Sequence, residues 1–96
     1  MMLAEKPMDV GRLSREERDR EILRLALIAE LDAVSLYEQL AASASDPTVK
    51  EVLLDVAREE KTHAGEFLAL LLRLDGEQER ELEAGRREVE ELLSGG

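Results

Sequence analysis

Apolar residues recur at intervals of three and four along most of the chain, in three stretches separated by short polar breaks. This spacing keeps apolar side chains on one side of an α-helix. The stretches run from Ser14 to about Ala42, from Pro47 to about Leu74, and from Asp75 through position 93. The pattern predicts an all-α protein, an antiparallel two-helix hairpin followed by a short C-terminal helix.

Capping residues stand where the polar breaks end. SREE, which starts at Ser14, has the arrangement of a capping box, in which the serine accepts from a backbone N–H and Glu17 reaches back. Asp46 is a good N-cap, and Pro47 follows at the first helical position, where its missing N–H is harmless. These signals divide the chain into a flexible N-terminal arm (1–13), a helical domain (14–93) and a tail (94–96).

Each helix of the hairpin carries an apolar stripe that is interrupted near its middle by ionisable residues. The first stripe consists of Leu23, Leu27, Glu30, Val34, Tyr37 and Ala41. The second consists of Leu53, Val56, Glu60, His63, Phe67, Leu70 and Leu74. This heptad-like spacing is typical of core positions in helices that pack nearly antiparallel.

Folding the hairpin brings the ionisable residues of the two stripes to one level. Ser45 lies at the turn, 15 residues after Glu30 and 15 before Glu60. At a rise of about 1.5 Å per residue, both carboxylates lie at the same height above the turn. His63 is three residues after Glu60 and shares its helical face. The spacing predicts that three metal-compatible side chains converge in the core.

A bound cation explains this cluster better than a set of ordinary core residues does. A single histidine on an apolar face is usually a core residue with satisfied nitrogens. Here, however, the carboxylates of Glu30 and Glu60 would repel each other, and His63 could neutralise only one of them. Arg24 and Arg58 are the nearest alternative cations, and neither lies in a stripe. The sequence therefore predicts a divalent metal site.

Charge and composition narrow the classes of function. The net charge of −10 is repelled by nucleic acid and anionic membranes but attracts cations. The absence of cysteine excludes disulfides, thiolate zinc sites and iron–sulfur clusters, which leaves carboxylates and His63 as the strong metal ligands. The chain has no signal-peptide core and no run of about 18 apolar residues, so we predict a cytoplasmic protein.

Both helices of the hairpin carry a second set of apolar residues that one hairpin cannot bury. These are Ile22, Ala26, Ala29, Ala33, Leu36 and Leu40, with Leu68 and Leu71 on the second helix. Pairing two hairpins about a twofold axis would bury them in a four-helix bundle and double the ligands to four glutamates and two histidines. This composition suits iron or manganese, and four carboxylates neutralise two divalent ions.

The motifs ALIAELDAVSLYEQLA and AREEKTHAGEF, with the turn between them, resemble the encapsulated ferritins, half-length members of the ferritin-like superfamily. The resemblance covers residues 18–93. It implies a ferroxidase that oxidises Fe²⁺ with O₂ at a di-iron centre across a homodimer interface and passes Fe³⁺ to mineral. It also implies a ring, expected to be a decamer, inside an encapsulin shell. The C-terminal EVEELLSGG contains no recognisable targeting peptide, which leaves separate cargo and fusion to the shell both open.

The same resemblance assigns roles to individual residues. Glu30, Glu60 and His63 correspond to the iron ligands, with Glu60 bridging the two irons. Tyr37 corresponds to a tyrosine close to the centre and is grouped with the catalytic residues. Asp32 keeps one of the acidic positions on the path by which iron approaches the centre.

Two other functions are compatible with this site. A rubrerythrin-like protein would use the di-iron centre to reduce peroxide, although the cysteines of the usual rubredoxin electron donor are missing. A non-catalytic acidic assembly module would use the Glu–His cluster as a buried polar device that sets helix register.

The third helix has a narrow apolar stripe of its own. It consists of Leu82, Gly85, Val89 and Leu92 on a helix that is otherwise rich in Glu and Arg. We predict that this helix connects one dimer to the next. The alternative is a solvated helix that packs lightly on its own hairpin.

Overall fold

The computed structural model describes residues 14–95, and the regular structure in that range is entirely helical. The helices are α1 (Arg15–Ser43), α2 (Pro47–Leu74) and α3 (Gly76–Leu93). The predicted all-α hairpin with a C-terminal helix is confirmed. The predicted arm (1–13) and the last residue of the predicted tail lie outside the described residues. Within 14–95, none of the helices is both long enough and apolar enough to cross a membrane.

Side chains cap the helices of the hairpin at their first turns. The Ser14 hydroxyl accepts from the Glu17 N–H at 3.2 Å, and the Ser14 N–H donates to the Glu17 carboxylate at 3.4 Å. Hydrogen bonds from the Ser14 hydroxyl and the Ser14 N–H to the Glu17 carboxylate hold its pKa below the usual value, because they favour the ionised form. The Asp46 carboxylate accepts from the N–H groups of Thr48 and Val49 at 2.8 and 3.1 Å. Both predicted caps are confirmed.

The contact between α1 and α2, here called the seam, is lined mostly by small residues. The buried apolar residues of the described chain are Val34, Ala41, Ala57, Ala64 and Leu71. On α2 these residues are seven positions apart, which returns them to the same side of the helix after two turns. Small side chains at a helix contact let the two axes approach closely.

The seam on α2 differs by one residue from the predicted stripe. The stripe placed His63 and Leu70 toward α1, whereas the buried residues are their successors Ala64 and Leu71. Leu71 is 3% exposed within the single hairpin, so its assignment to the second apolar side is wrong. The small volume of Ala57 and Ala64 lets them occupy the closest approach. Leu71 follows Ala64 by seven residues and so lies on the same side of α2, whereas Leu70 is turned about 100° away.

One side of the hairpin, here called the open face, exposes large apolar side chains. Positions just before the seam point to this side on both helices, because α1 and α2 run antiparallel. Its aliphatic residues, between 45% and 56% exposed, are Ile22, Leu36, Leu40, Val49, Val52, Leu70 and Leu74. An apolar surface that a single chain leaves this exposed marks an interaction site.

α3 leaves the hairpin away from the open face and is little buried. None of its 18 residues is buried, and Val89 and Leu92 are 54% and 78% exposed. Leu82 lines a groove, here called the corner groove, together with Ile28 and Leu68 of the hairpin. Leu68 therefore does not belong with the residues of the open face, contrary to the prediction. The structure measures 47 × 46 × 20 Å because α3 projects from the hairpin.

We expect Asp46→Ala to lower the free energy of unfolding by about 1 kcal/mol, because two N–H groups at the start of α2 lose their acceptor. Asp46→Asn should be nearly neutral, since asparagine also caps helices well. Ser45→Ala is the matched control, because the Ser45 hydroxyl has no hydrogen bond within residues 14–95. Urea denaturation followed by circular dichroism measures all three. Equal midpoints for the alanine and asparagine variants of Asp46 would contradict the capping role.

Candidate metal centre

Glu30, Glu60 and His63 come together from two helices. Glu30 lies on α1, and the other two residues lie one turn apart on α2. The His63 Nδ1 atom is 3.6 Å from Glu30 Oε2 and 3.6 Å from Glu60 Oε1. One donor atom from each residue lies within 4.8 Å of the other two. These three side chains, here called the carboxylate–histidine cluster, can contact one ion at the same time.

The cluster lies at the edge of the open face. The His63 side chain is 45% exposed, whereas those of Glu30 and Glu60 are 20% and 19% exposed. The cause is the position of the seam. His63 immediately precedes the buried Ala64, so its imidazole is turned outward. The prediction that His63 lies in the hairpin's own core is therefore wrong for the single chain.

The ionised form of Glu30 is electrostatically destabilised within the cluster. Its pKa is raised because its protonated form can share a hydrogen bond with the Glu60 carboxylate, because it is partly desolvated, and because the Glu60 charge repels its ionised form. His63 acts in the opposite direction. The Glu30 Oε2 atom is buried and has no hydrogen-bond partner among the described residues. Such an oxygen is destabilising unless a cation or a donor reaches it.

Three basic side chains of α1 and α2 are paired with carboxylates outside the cluster. They form the ion pairs Arg24–Asp75, Arg58–Asp55 and Lys61–Glu38. The ion-pair distances of Glu30 and Glu60 are both to His63. Two carboxylates and one imidazole form a donor set that first-row divalent metals accept. Together with the unpartnered oxygen of Glu30, this donor set fits a divalent cation.

Asp32 and Tyr37 stand apart from the cluster. Asp32 is partly buried but is not a member of it. It lies two residues after Glu30 and points to a different side of α1. Tyr37 is also partly buried, and seven residues separate it from Glu30, which is about 10.5 Å along the helix axis. Their roles on the iron path and near the centre remain predictions.

One contact beside the cluster is not predicted by the sequence. The Lys61 side chain is 60% exposed, yet its ammonium lies 3.1 Å from the Glu38 carboxylate of α1. Glu38 is seven residues before Ser45 and Lys61 is 16 after it. The two residues therefore lie at different heights above the turn, and their long side chains span the difference. Counting equal numbers of residues from the turn cannot identify such a pair.

Sequence comparison gives the family. A family profile described as Rubrerythrin matches residues 21–93. The chain belongs to the rubrerythrin family. The match includes the whole of α2 and α3, and most of α1. All three residues of the carboxylate–histidine cluster lie inside it.

Two similar members are described by their association with encapsulins. This rubrerythrin-family chain is 62% identical over 77 residues to a ferritin-like–encapsulin shell fusion protein from Pyrococcus furiosus. It is 39% identical over 67 residues to the encapsulin nanocompartment cargo protein EncC from Myxococcus xanthus. The alignments cover 80% and 67% of this chain but 22% and 52% of the two relatives. The chain thus spans about a fifth of one relative and about half of the other.

A crystal structure of the encapsulated ferritin domain from Pyrococcus furiosus has the same fold. It is 59% identical in sequence to this rubrerythrin-family chain, and the TM-score is 0.80. The superposition covers 84% of this chain and 83% of that domain. The resemblance to encapsulated ferritins is therefore confirmed.

In metal-free protein, we expect Glu30→Gln to raise the free energy of unfolding at neutral pH, because it removes a charge that Glu60 repels. A carboxyl with a raised folded pKa holds its proton more tightly when folded. The wild-type free energy of unfolding should therefore fall as pH rises from the usual value of 4.5 through the raised pKa. The variant should lack this fall.

Chelator-treated samples unfolded in urea at a series of pH values measure this difference. The exposed neighbour Glu59 supplies the control, because Glu59→Gln removes a carboxylate outside the cluster. Parallel pH profiles for wild type and Glu30→Gln would show that Glu30 carries no such cost.

Proposed function

We propose that two copies of this chain form a ferroxidase, in which paired carboxylate–histidine clusters hold two Fe²⁺ ions while O₂ oxidises them. The observation that carries this proposal is the buried, unpartnered Oε2 of Glu30, 3.6 Å from the His63 imidazole nitrogen. A carboxylate in that state needs a cation, and Fe²⁺ is a suitable one for carboxylate and imidazole ligands.

The open face supports the pairing of two copies. The cluster, whose histidine is 45% exposed, lies at the edge of this face, so each chain would present half a site beside an apolar surface. Two hairpins joined through this face would make a four-helix bundle with four glutamates and two histidines. The four carboxylates balance the charge of two Fe²⁺ ions. The two carboxylates of a single chain balance the charge of only one Fe²⁺ ion.

In this proposal iron is the substrate, and the protein supplies ligands and electrostatic stabilisation. Each pair of Fe²⁺ ions gives up two electrons, and O₂ takes them up with two protons to form H₂O₂. The ionised carboxylates of Glu30 and Glu60 favour the higher charge of Fe³⁺, which lowers the energy of the oxidised state. The imidazole of His63 would complete the donor set, and Glu60 would be the carboxylate that the two ions share.

We place this ferroxidase inside an encapsulin nanocompartment in the cytoplasm. The support comes from its relatives, one of which is fused to an encapsulin shell and one of which is an encapsulin cargo protein by name. An enclosed compartment would also receive the Fe³⁺ product as mineral.

Peroxide reduction is the second candidate, because the matching family is the rubrerythrins. It would use the same ligands and the same pair of metal ions, with H₂O₂ as the electron acceptor. Stopped-flow oxidation with O₂ and H₂O₂ in parallel separates the two: faster turnover with O₂ supports the ferroxidase, and turnover with H₂O₂ alone supports the peroxidase.

We expect Glu60→Ala and His63→Ala each to abolish rapid Fe²⁺ oxidation while helix content is unchanged. Each variant removes one of the three ligands of the cluster, which leaves too few donors to hold the ion. Anaerobic Fe²⁺ titration followed by native mass spectrometry should give one Fe per chain in the wild type and a loss of this saturable binding in the variants. Addition of O₂ then gives the rate from near-ultraviolet absorbance.

Glu59→Ala is the matched control, since Glu59 is exposed beside the cluster and makes no ion pair within residues 14–95. It should bind and oxidise iron like the wild type. Oxidation at the wild-type rate in either ligand variant would refute the assignment. An absence of saturable binding in the wild type would instead favour the non-catalytic assembly module.

We also propose that α3 joins dimers into a ring, as its exposed apolar residues suggest. Burial of two or three leucine-sized side chains at each contact contributes about 3–6 kcal/mol before entropy costs. Val89→Asp should therefore leave iron-binding dimers that no longer form the ring. Glu88→Ala, at the neighbouring exposed position, should leave the ring intact. Light scattering measures the mass. A ring of unchanged mass in the Val89 variant would exclude this connection.

A further inference from the structure

A single residue, Asp75, separates α2 from α3 and contacts all three helices. Its Oδ1 atom accepts from the Gln78 N–H at 3.0 Å and so caps α3. Its Oδ2 atom accepts from Arg24 Nη2 of α1 at 2.8 Å. Its own backbone N–H donates to the Leu71 carbonyl at 2.9 Å, which ends α2. The Oδ1 atom thus caps α3, and the Oδ2 atom bonds to the hairpin.

Arg24 is held in position for its contact with Asp75. Its Nη1 atom lies 3.4 Å from Glu21, one turn earlier on α1. The arginine lines both a polar cavity of about 510 Å³ at the junction and the corner groove of about 290 Å³. The pKa of Asp75 is lowered, chiefly by the hydrogen bond from Gln78 and further by Arg24 and Arg20. The carboxylate is therefore ionised when it meets Arg24.

Within a single chain, residues 14–95 provide little else that fixes the direction of α3. None of its residues is buried, and Leu82, which lines the corner groove, is 42% exposed. Ion pairs between fully exposed side chains contribute little. The Asp75 side chain, however, is only 15% exposed, and it stands at the point about which α3 would pivot. A restraint at a pivot acts on the whole helix.

We propose that the Arg24–Asp75 ion pair is a latch that sets the direction in which α3 leaves the hairpin, separately from the cap that lets α3 form. When the latch opens, α3 keeps its helical structure through the Gln78 bond but pivots at Asp75. Its apolar residues, including Val89 and Leu92, then point in no single direction. The latch lies outside the carboxylate–histidine cluster, so this proposal does not depend on the proposed ferroxidase activity.

Spin-label distances between the hairpin and α3 test the latch in the full chain. The chain has no cysteine, so Glu51→Cys on α2 and Glu88→Cys on α3 give two unique labels at exposed positions. Labelled protein is diluted into excess unlabelled protein, which leaves distances within one chain as the dominant signal. The wild type should give one narrow distance distribution.

Three substitutions separate the latch from the cap. Arg24→Gln removes the cation. Asp75→Asn removes the negative charge but keeps an oxygen that can accept from the Gln78 N–H. Each variant should replace the narrow distance distribution with a broad one at unchanged helix content. Arg24→Lys keeps a cation and should retain the narrow distribution. The matched control is Arg58→Gln, because Arg58 pairs with Asp55 inside α2 and joins no separate elements.

The combined Arg24→Gln and Asp75→Asn variant should broaden the distribution no more than either change alone, as expected for two halves of one interaction. A narrow distribution in Arg24→Gln overturns the latch, whatever Asp75→Asn does, because the direction of α3 would then not need the cation. Equal broadening in Arg58→Gln overturns it as well. Circular dichroism of each variant verifies that α3 is still helical.

Discussion

The close approach of α1 and α2 at Ala57 and Ala64 is the constraint on which the rest of the structure depends. Alanines at these positions bring the two helices close together, and residues one position before the seam, such as Leu40, His63 and Leu70, turn outward. The same packing therefore creates both the hairpin and its open face.

The carboxylate–histidine cluster adds a second constraint, because it conflicts with stability in the free chain. Glu30 has a raised pKa and an oxygen without a hydrogen-bond partner among the described residues, so its ionised form is held at a cost. Sites that act on charged substrates often carry such costs, since the groups are arranged for the bound state.

Much of the fold could be predicted from the sequence, for identifiable reasons. The capping residues Ser14 and Asp46 act within one helical turn, so local sequence is enough to place the starts of α1 and α2. The convergence of the three cluster residues follows from counting residues on each side of a short turn.

Other features could not be predicted, because they depend on contacts between helices. Helical periodicity gives a broad apolar face, and the choice between His63 and Ala64 as the seam position depends on which side chain allows closer packing. The Lys61–Glu38 and Arg24–Asp75 pairs join long side chains from different elements. Which residues pair depends on how the helices are placed relative to one another, and residue spacing along the chain does not predict that placement.

Because the single residue Asp75 joins α2 to α3, the number of residues at this junction determines how α3 is rotated about its axis. Each residue added to or removed from a helix start rotates everything after it by about 100° about the helix axis. An insertion beside Asp75 would therefore turn Leu82 out of the corner groove and carry Val89 to another side. Substitutions elsewhere on α3 adjust its contacts gradually, but insertions or deletions at this junction would reassign them in a single step.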